Sequence, residues 1–257
     1  MDIYQHFRVE EQPFIDKVLS WKEEVERMFV AKLTDFLDPR EQHIVNSLIG
    51  NNGDIQVHFF GGSSTSERKR AIIAPLYEQI DKQNFNICLL EGKFPNKFVT
   101  LEHRDVLGAL MSLGIKRKKM GDILVGDGIV HLLVDQEVST YVQMHLTGIK
   151  KASISLVETA ISNLVPSTDQ WIEQEGTVSS LRLDAIIKEI YNVSRKQAAD
   201  YISKGAVKVN FREVENSAFS IEQGDIISIR KKGRSKVVRI EGKTKKEKWR
   251  ITTAKLK

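Results

Sequence analysis

The 257-residue sequence reads as an α+β chain in three parts. Hydrophobic periods of helix and strand alternate along it, with no long run of either kind. The middle stretch gives the order strand, helix, strand, strand, helix, strand. The last third opens with two short helices, continues in short strands and holds the whole excess of positive charge. These shifts put the parts at 1–80, 81–163 and 180–257, joined by a linker over 164–179 that contains Pro166, Ser167, Thr168 and Gly176.

The first part is expected to combine helices with a β-hairpin. Phe14, Val18, Trp21, Val25 and Phe29 recur at helical spacing and place an amphipathic helix over 12–33, its apolar stripe facing a core. In Leu37-Asp38-Pro39-Arg40-Glu41, Asp38 can cap, Pro39 suits a first turn and Glu41 completes a capping box. The helix that follows shows Ile44, Val45, Leu48 and Ile49 and stops at Gly50. Ile55, Val57 and Phe59 alternate with Gln56, His58 and Phe60 as a strand, Gly61-Gly62-Ser63-Ser64 turns the chain, and Glu67–Pro75 returns as a second strand or starts a short helix, the branched Ile72-Ile73 and the stop at Pro75 favouring the strand. The glycines near Arg68, Lys69 and Arg70 read either as a phosphate-contacting loop or as a plain turn with solvated charges. The Gly-Lys-Ser/Thr ending of a P-loop is absent.

In the middle part, strands are expected at 86–91, 121–125, 129–134 and 152–157, and helices at 103–113 and 138–146. Gly126-Asp127-Gly128 is the hairpin signal between the second and third strands. This is the split βαβ, ferredoxin-like order that RNA-recognition motifs share. The stacking aromatics of such a motif are missing from Ile129–Val134, so this RRM-like part is expected to act as a scaffold. Lys116, Arg117, Lys118 and Lys119 follow its first helix in a loop. With Arg68 they are candidates for a secondary RNA contact, a solvated loop being the alternative.

In the last part, Leu183, Ile186, Ile187 and Ile190 form the stripe of a helix broken at Asn192-Val193. Ser194 and Gln197 make a capping box for a second helix over 195–204, closed by Gly205. Ala206–Asn210 alternates, with Val207 and Val209 on one face, and Gln223-Gly224-Asp225 turns the chain into Ile226–Arg230. Burying the valines against the helix stripe leaves Arg182, Ser194, Arg195, Lys196, Lys204 and Lys208 outward. The start of the second helix adds free amides and partial positive charge. A cationic helix pair on a small sheet suits RNA docking, and ordinary surface charge is the alternative.

Composition narrows the partner. The formal net charge is +5, yet residues 178–257 hold 20 Lys and Arg against 9 Asp and Glu, and Arg230–Lys257 alone holds 13 against 2. Such a block implies a polyanion. Nucleic acid fits better than a membrane surface, because Trp249 is the one large aromatic there and no apolar face is evident. No run approaches the roughly 18 apolar residues of a membrane span, and MDIYQHFRVEEQPF lacks signal-peptide order, so a cytoplasmic protein is expected. The single Cys88 lies in an apolar run and reads as core.

Arg182-Leu183-Asp184, Ser194-Arg195, Gly205–Asn210 and Gly224-Asp225 follow in the order of the S4 RNA-binding domain, which this stretch resembles. The resemblance implies an αL-type S4 domain whose partner is structured rRNA or tRNA. It implies contacts from Arg182, Ser194, Arg195, Lys196, Gln197, Lys204, Lys208 and Asn210. The family has Gly after the Asn; Phe211 stands there instead, and either the turn differs or the ring is offered for stacking on a base. Phe36-Leu37-Asp38-Pro39-Arg40, Gly61-Gly62 with Glu67-Arg68, and His103–Ala109 through Gly121-Asp122-Ile123-Leu124-Val125 are similar to the bacterial YlmH family, over nearly the whole chain. That resemblance implies a role in ribosome-associated quality control: binding of large ribosomal subunits blocked by peptidyl-tRNA, and support of nascent-chain tailing. It also implies genes near those of cell division, with division-associated proteins as further partners.

Enzymatic chemistry finds little support. His103-Arg104-Asp105 lacks the Asn of a kinase catalytic loop, Leu110 standing in its place. The six histidines are scattered singly and no G-x-S-x-G occurs, so neither metal nor cofactor is expected. One alternative is RNA modification of the pseudouridine-synthase kind through Asp105 beside Arg104. Another is a cell-division adaptor that binds protein only, which leaves the basic C-terminal block unexplained. The expected function is non-enzymatic docking on folded RNA.

Overall fold

Helix α1 (Gln12–Met28) buries Ile15, Val18 and Val25. It is shorter than its apolar stripe predicts. Phe29 adopts a left-handed backbone with φ 55°, returns its amide to the carbonyl of Val25 and stays exposed. The chain leaves the helix there because Lys32 and Leu33 pair into a sheet as β1 (Lys32–Leu33). At α2 (Pro39–Ile49) the Asp38 carboxylate accepts the amide of Glu41 and the Glu41 carboxylate accepts that of Asp38, the capping box the sequence predicts. Strands β2 (Ile55–Phe60) and β3 (Arg70–Pro75) form the expected hairpin, and the antiparallel sheet runs β1-β3-β2. Both helices cover one face of it, closing Ile44, Val45 and Leu48 over Ile55, Ala71 and Ile73.

The computed structural model describes residues 7–50, 53–165 and 171–256. They divide into two units, 1–167 and 168–257.

The first unit continues with β4 (Ile87–Lys93), α3 (His103–Ser112), β5 (Met120–Gly126), β6 (Ile129–Asp135) and α4 (Gln136–His145). A small hairpin of β7 (Gly148–Ile149) and β8 (Ala152–Ser153) precedes β9 (Leu156–Thr159). The strand expected at 152–157 is thus divided, because the left-handed Lys150 starts a tight turn that pairs Ile149 with Ala152. The four-stranded antiparallel sheet has the order β5-β6-β4-β9. Each strand pair joined through a helix has one strand of the other pair inserted, the ferredoxin-like arrangement.

Alternation along β4 sorts its side chains into two cores. Cys88 and Leu90 face α3 and α4, among Val106, Leu110, Leu132, Val134 and Val142. Ile87 and Leu89 face the other way and join Leu133 against Phe36, Ile72, Ala74 and Phe85. The two sheets therefore stack face to face, and the unit has four layers: α1 and α2, sheet, sheet, α3 and α4. The sheet face that an RNA-recognition motif turns to bases is buried here under the first sheet. Burial also pushes the Cys88 thiol up to about 12, with Glu158 adding to the effect, so it remains a protonated core side chain. No helix among the described residues is long and apolar enough to cross a membrane.

The second unit contains β10 (Trp171–Val178), α5 (Leu183–Tyr191), α6 (Arg195–Ser203), β11 (Val207–Val209), β12 (Arg212–Glu213), β13 (Ile226–Ile229), β14 (Gly233–Lys243) and β15 (Trp249–Leu256). One antiparallel sheet takes the order β10-β15-β14-β13-β11-β12. The stripe of Leu183, Ile186, Ile187 and Ile190 packs with Ala198 and Ile202 on Val207, Val209, Ile227, Ile229, Val237 and Ile251. Two expectations change. Of the linker, 166–170 lies outside the described residues, and 171–178 is an edge strand paired along its length with β15. The basic block at the C-terminus is a β-hairpin: Val237 and Ile251 enter the core while most of its cations stay on the surface.

Candidate nucleic-acid interface

Asp184 organises the outer surface of α5 and α6. It lies in the first turn of α5, its side chain only 6 % exposed. One oxygen accepts Nε of Arg182 at 3.1 Å; the other accepts Nη2 of Arg182 at 3.2 Å and Nε of Arg195 at 3.1 Å. Arg182 is the N-cap of α5 and Arg195 the first residue of α6. One carboxylate thus holds two guanidiniums at two helix starts, where free amides add positive potential. Both arginine side chains remain open to solvent, 42 % and 56 % exposed. Sequence reasoning passed over Asp184 as a site residue; the signal was an acid two places after Arg182 at a helix start.

Burial raises the Asp184 carboxyl, but the hydrogen bonds and charges of Arg182 and Arg195 outweigh it and hold the group below the ordinary carboxylate range. A depressed folded-state value means that the stabilisation is fully present above the unfolded value of about 3.9 and is lost as the pH falls through it toward the folded one. Denaturant titrations across that range should show the stability gap between the native chain and Asp184→Asn closing as acid is added.

The remaining S4-derived candidates separate. Ser194 and Gln197 are exposed but engaged with each other's backbone: the Gln197 amide donates to Ser194 Oγ at 3.1 Å, and the Ser194 amide donates to Gln197 Oε1 at 2.9 Å. They shape the start of α6 as its capping box. Lys196 sits beside Arg195, exposed and without a partner among the described residues. Lys204 is exposed at the far end of α6, about 13 Å along the axis. Lys208 is not on this face at all. Val207 and Val209 point to the helices, so alternation turns Lys208 to the opposite side of the sheet. There the register sets it in a row with Ser228 and Arg234. Lys236 lies on the same sheet face, its ammonium 4.9 Å from the Trp171 ring centroid.

Asn210 is buried, and its role is structural. Its Nδ2 donates to Asp225 at 2.7 Å and its Oδ1 accepts the Ile226 amide at 2.9 Å. Asn210 and Phe211, with φ 47° and 68°, form the two-residue turn between β11 and β12, the geometry of a type I′ hairpin. The Phe211 ring stays 38 % exposed.

Most of the cations named for a secondary contact have partners within the protein. Arg68 is buried, donating to the carbonyls of Phe36 at 2.9 Å and Met120 at 3.2 Å. Arg117 donates to the carbonyls of Met120 and Gly121, each at 3.0 Å. Lys118 pairs with Asp35 at 2.8 Å, and Lys119 reaches Asp35, Asp135 and Glu137 at 3.0, 2.7 and 2.7 Å. Arg68, Lys118 and Lys119 link the first part to the middle part, and Arg117 closes its own turn; of the four cations at 116–119, Lys116 alone is exposed without a partner among the described residues. The same junction accounts for Glu67-Arg68 and Gly121-Asp122. Asp122 accepts the amides of Glu67 and Arg68, and a Cβ on Gly121 would come within 2.7 Å of the Phe36 ring. Asp105 caps α3 through the Glu102 amide at 2.8 Å and pairs with Lys150 at 2.6 Å.

Three family models match the chain: "YlmH, N-terminal" over 10–78, "Putative RNA-binding domain in YlmH" over 81–163, and the S4 domain over 181–227. The ribosome-associated protein quality control protein P2 of Bacillus subtilis is 43 % identical over 252 residues, 98 % of this chain and 97 % of that protein. The chain belongs to the YlmH family. A solved structure described as cell division protein ylmH from Streptococcus pneumoniae is 33 % identical with a TM-score of 0.55, over 64 % of this YlmH-family chain and 99 % of the other. The small ribosomal subunit protein uS4 of Kosmotoga olearia is 40 % identical over 70 residues, 25 % of this chain and 34 % of its own length. The S4 match stops at 227, so β10, β14 and β15 enlarge the sheet of this YlmH-family chain beyond the matched span.

Proposed function

We propose that this chain is a cytoplasmic, non-enzymatic RNA-binding protein that docks on structured rRNA or tRNA of the large ribosomal subunit. There it acts in the rescue of stalled translation, on subunits blocked by peptidyl-tRNA, and supports nascent-chain tailing. The observation that carries the reading is the pair Arg182 and Arg195, fixed by Asp184 at two helix starts in an S4 domain. The likeness over nearly its full length to a ribosome-associated quality control protein supplies the setting. Fixed guanidiniums favour phosphate geometry over sequence, so docking is directed by backbone and shape. Asp105, the residue put forward for RNA modification, is engaged in helix capping and an ion pair, which gives that reading no support.

Arg195→Ala should weaken co-sedimentation with purified large subunits by about fivefold or more. It should also reduce the slope of log affinity against log salt by roughly 0.7 to 0.9, one phosphate contact. Unchanged binding with an unchanged slope would remove the helix face from the interface.

A further inference from the structure

We infer that the middle part of the chain carries a second nucleic-acid site, separate from the S4 domain, that takes single-stranded RNA. Its centre is Phe98. This ring is 87 % exposed, more than any other large hydrophobic side chain among those described. The loop that presents it is held rather than loose. Phe94 and Leu101 anchor its two ends in the core, and the amides of Phe98 and Val99 both return to the carbonyl of Pro95, at 3.0 and 3.1 Å. A ring on a fixed tight turn has little ordering left to lose when a base stacks on it.

Cations stand on and beside the loop that carries the ring. Lys97 precedes it, exposed and without a partner among the described residues. Lys93, at the end of β4, and Arg104, at the start of α3, have side chains 78 % and 77 % exposed. Lys150 donates to the carbonyl of Thr100 at 3.3 Å, which brings the β7–β8 turn and its partnerless neighbour Lys151 alongside the loop. Glu91, Glu102 and Asp105 pair with Lys93, Arg104 and Lys150 and balance their charge, so Lys97 and Lys151 supply the net positive charge of the patch. An exposed aromatic platform next to two lysines unpaired among the described residues, Lys97 and Lys151, is the arrangement that binds single strands by stacking, with little preference among bases. The other two places where this domain could meet RNA offer less. The sheet face is buried under the first sheet, and at 116–119 Lys118 and Lys119 are paired with Asp35 while Arg117 bonds to the carbonyls of Met120 and Gly121. The inference rests on the RNA-binding reading above for its ligand class alone; its site and probe are different.

The test uses the full chain and fluorescence anisotropy with a short labelled oligouridine, alongside co-sedimentation with large subunits. Phe98→Leu should weaken oligouridine binding about tenfold, Phe98→Trp should retain it, and Lys97→Ala with Lys151→Ala should flatten its salt dependence. All of these positions are exposed, so the fold is preserved. Equal affinity of the native chain and Phe98→Leu would overturn the inference, as would a native chain that does not bind oligouridine. So would a protein partner retained through nuclease treatment and lost with Phe98→Leu, which would make the loop a protein-docking site. Arg195→Ala run in parallel keeps the two readings apart: it should leave oligouridine binding by the Phe98 site in place while weakening large-subunit binding.

Discussion

Replacing Asp135 with alanine is expected to destabilise the first unit by about 3–5 kcal/mol, the range for removing one partner from a buried ion pair. Asp135 is 1 % exposed and pairs through one oxygen with Nη1 of Arg70 at 3.1 Å, itself only 6 % exposed. The other oxygen takes the Lys119 ammonium at 2.7 Å, and the carboxylate also caps α4 through the Glu137 amide at 3.2 Å. Without it, Arg70 keeps the carbonyls of Thr34 and Asn86 but no counter-charge, beside the Phe36 ring. Because these groups tie one sheet to the other, the loss should appear as one cooperative shift of the urea midpoint for the whole four-layered unit, with an unchanged slope. The double variant Arg70→Met with Asp135→Leu should recover much of the loss, since an apolar pair leaves no buried charge uncompensated. A single-variant shift of less than about 1 kcal/mol would mean that water reaches Arg70, and the junction would not be the buried clasp described.

That clasp also marks where reading the sequence stops. Features decided within a few residues were legible: the capping boxes at Asp38 with Glu41 and Ser194 with Gln197, and the Asp127-Gly128 turn, each depend on atoms three positions apart or fewer. The helix–strand order of the middle part followed from periodicity for the same reason. Charge was the opposite case. Nothing local distinguishes a solvated lysine from one held by partners far along the chain, and Arg68 meets the Met120 carbonyl 52 residues away. Lys116–Lys119 and Arg68 therefore read alike in the sequence, while in the structure Arg68, Lys118 and Lys119 reach partners in the first part of the chain. The strand Trp171–Val178 was hidden because an edge strand exposed on most positions has no apolar alternation to show. In β14 and β15, a dense run of Lys and Arg concealed the few core positions, Val237 and Ile251. Of the candidate site, Arg182, Arg195 and Lys196 were legible because the helix stripe fixes which side is left outward. Asn210 was not, since its partner Asp225 comes 15 residues later.

Asn210→Ala is expected to cost the second unit about 2–3 kcal/mol. The substitution removes two buried hydrogen bonds at once: the Ile226 amide loses its acceptor, and the buried Asp225 carboxylate loses a donor at 2.7 Å. Alanine also tolerates φ 47° less well than asparagine does. The neighbouring position should respond with the opposite sign. Phe211 holds φ 68°, where a residue with a Cβ costs roughly 1 kcal/mol or more and glycine costs nothing. Phe211→Gly should therefore raise the thermal midpoint, by a few degrees at most, because glycine also gives the unfolded chain more freedom. A strained residue kept against that gain, with its ring partly exposed, points to use of the ring rather than of the turn. The same variant should accordingly bind ribosomal RNA more weakly while melting higher. A higher midpoint with undiminished RNA affinity would reduce Phe211 to a turn residue and leave stacking to Phe98.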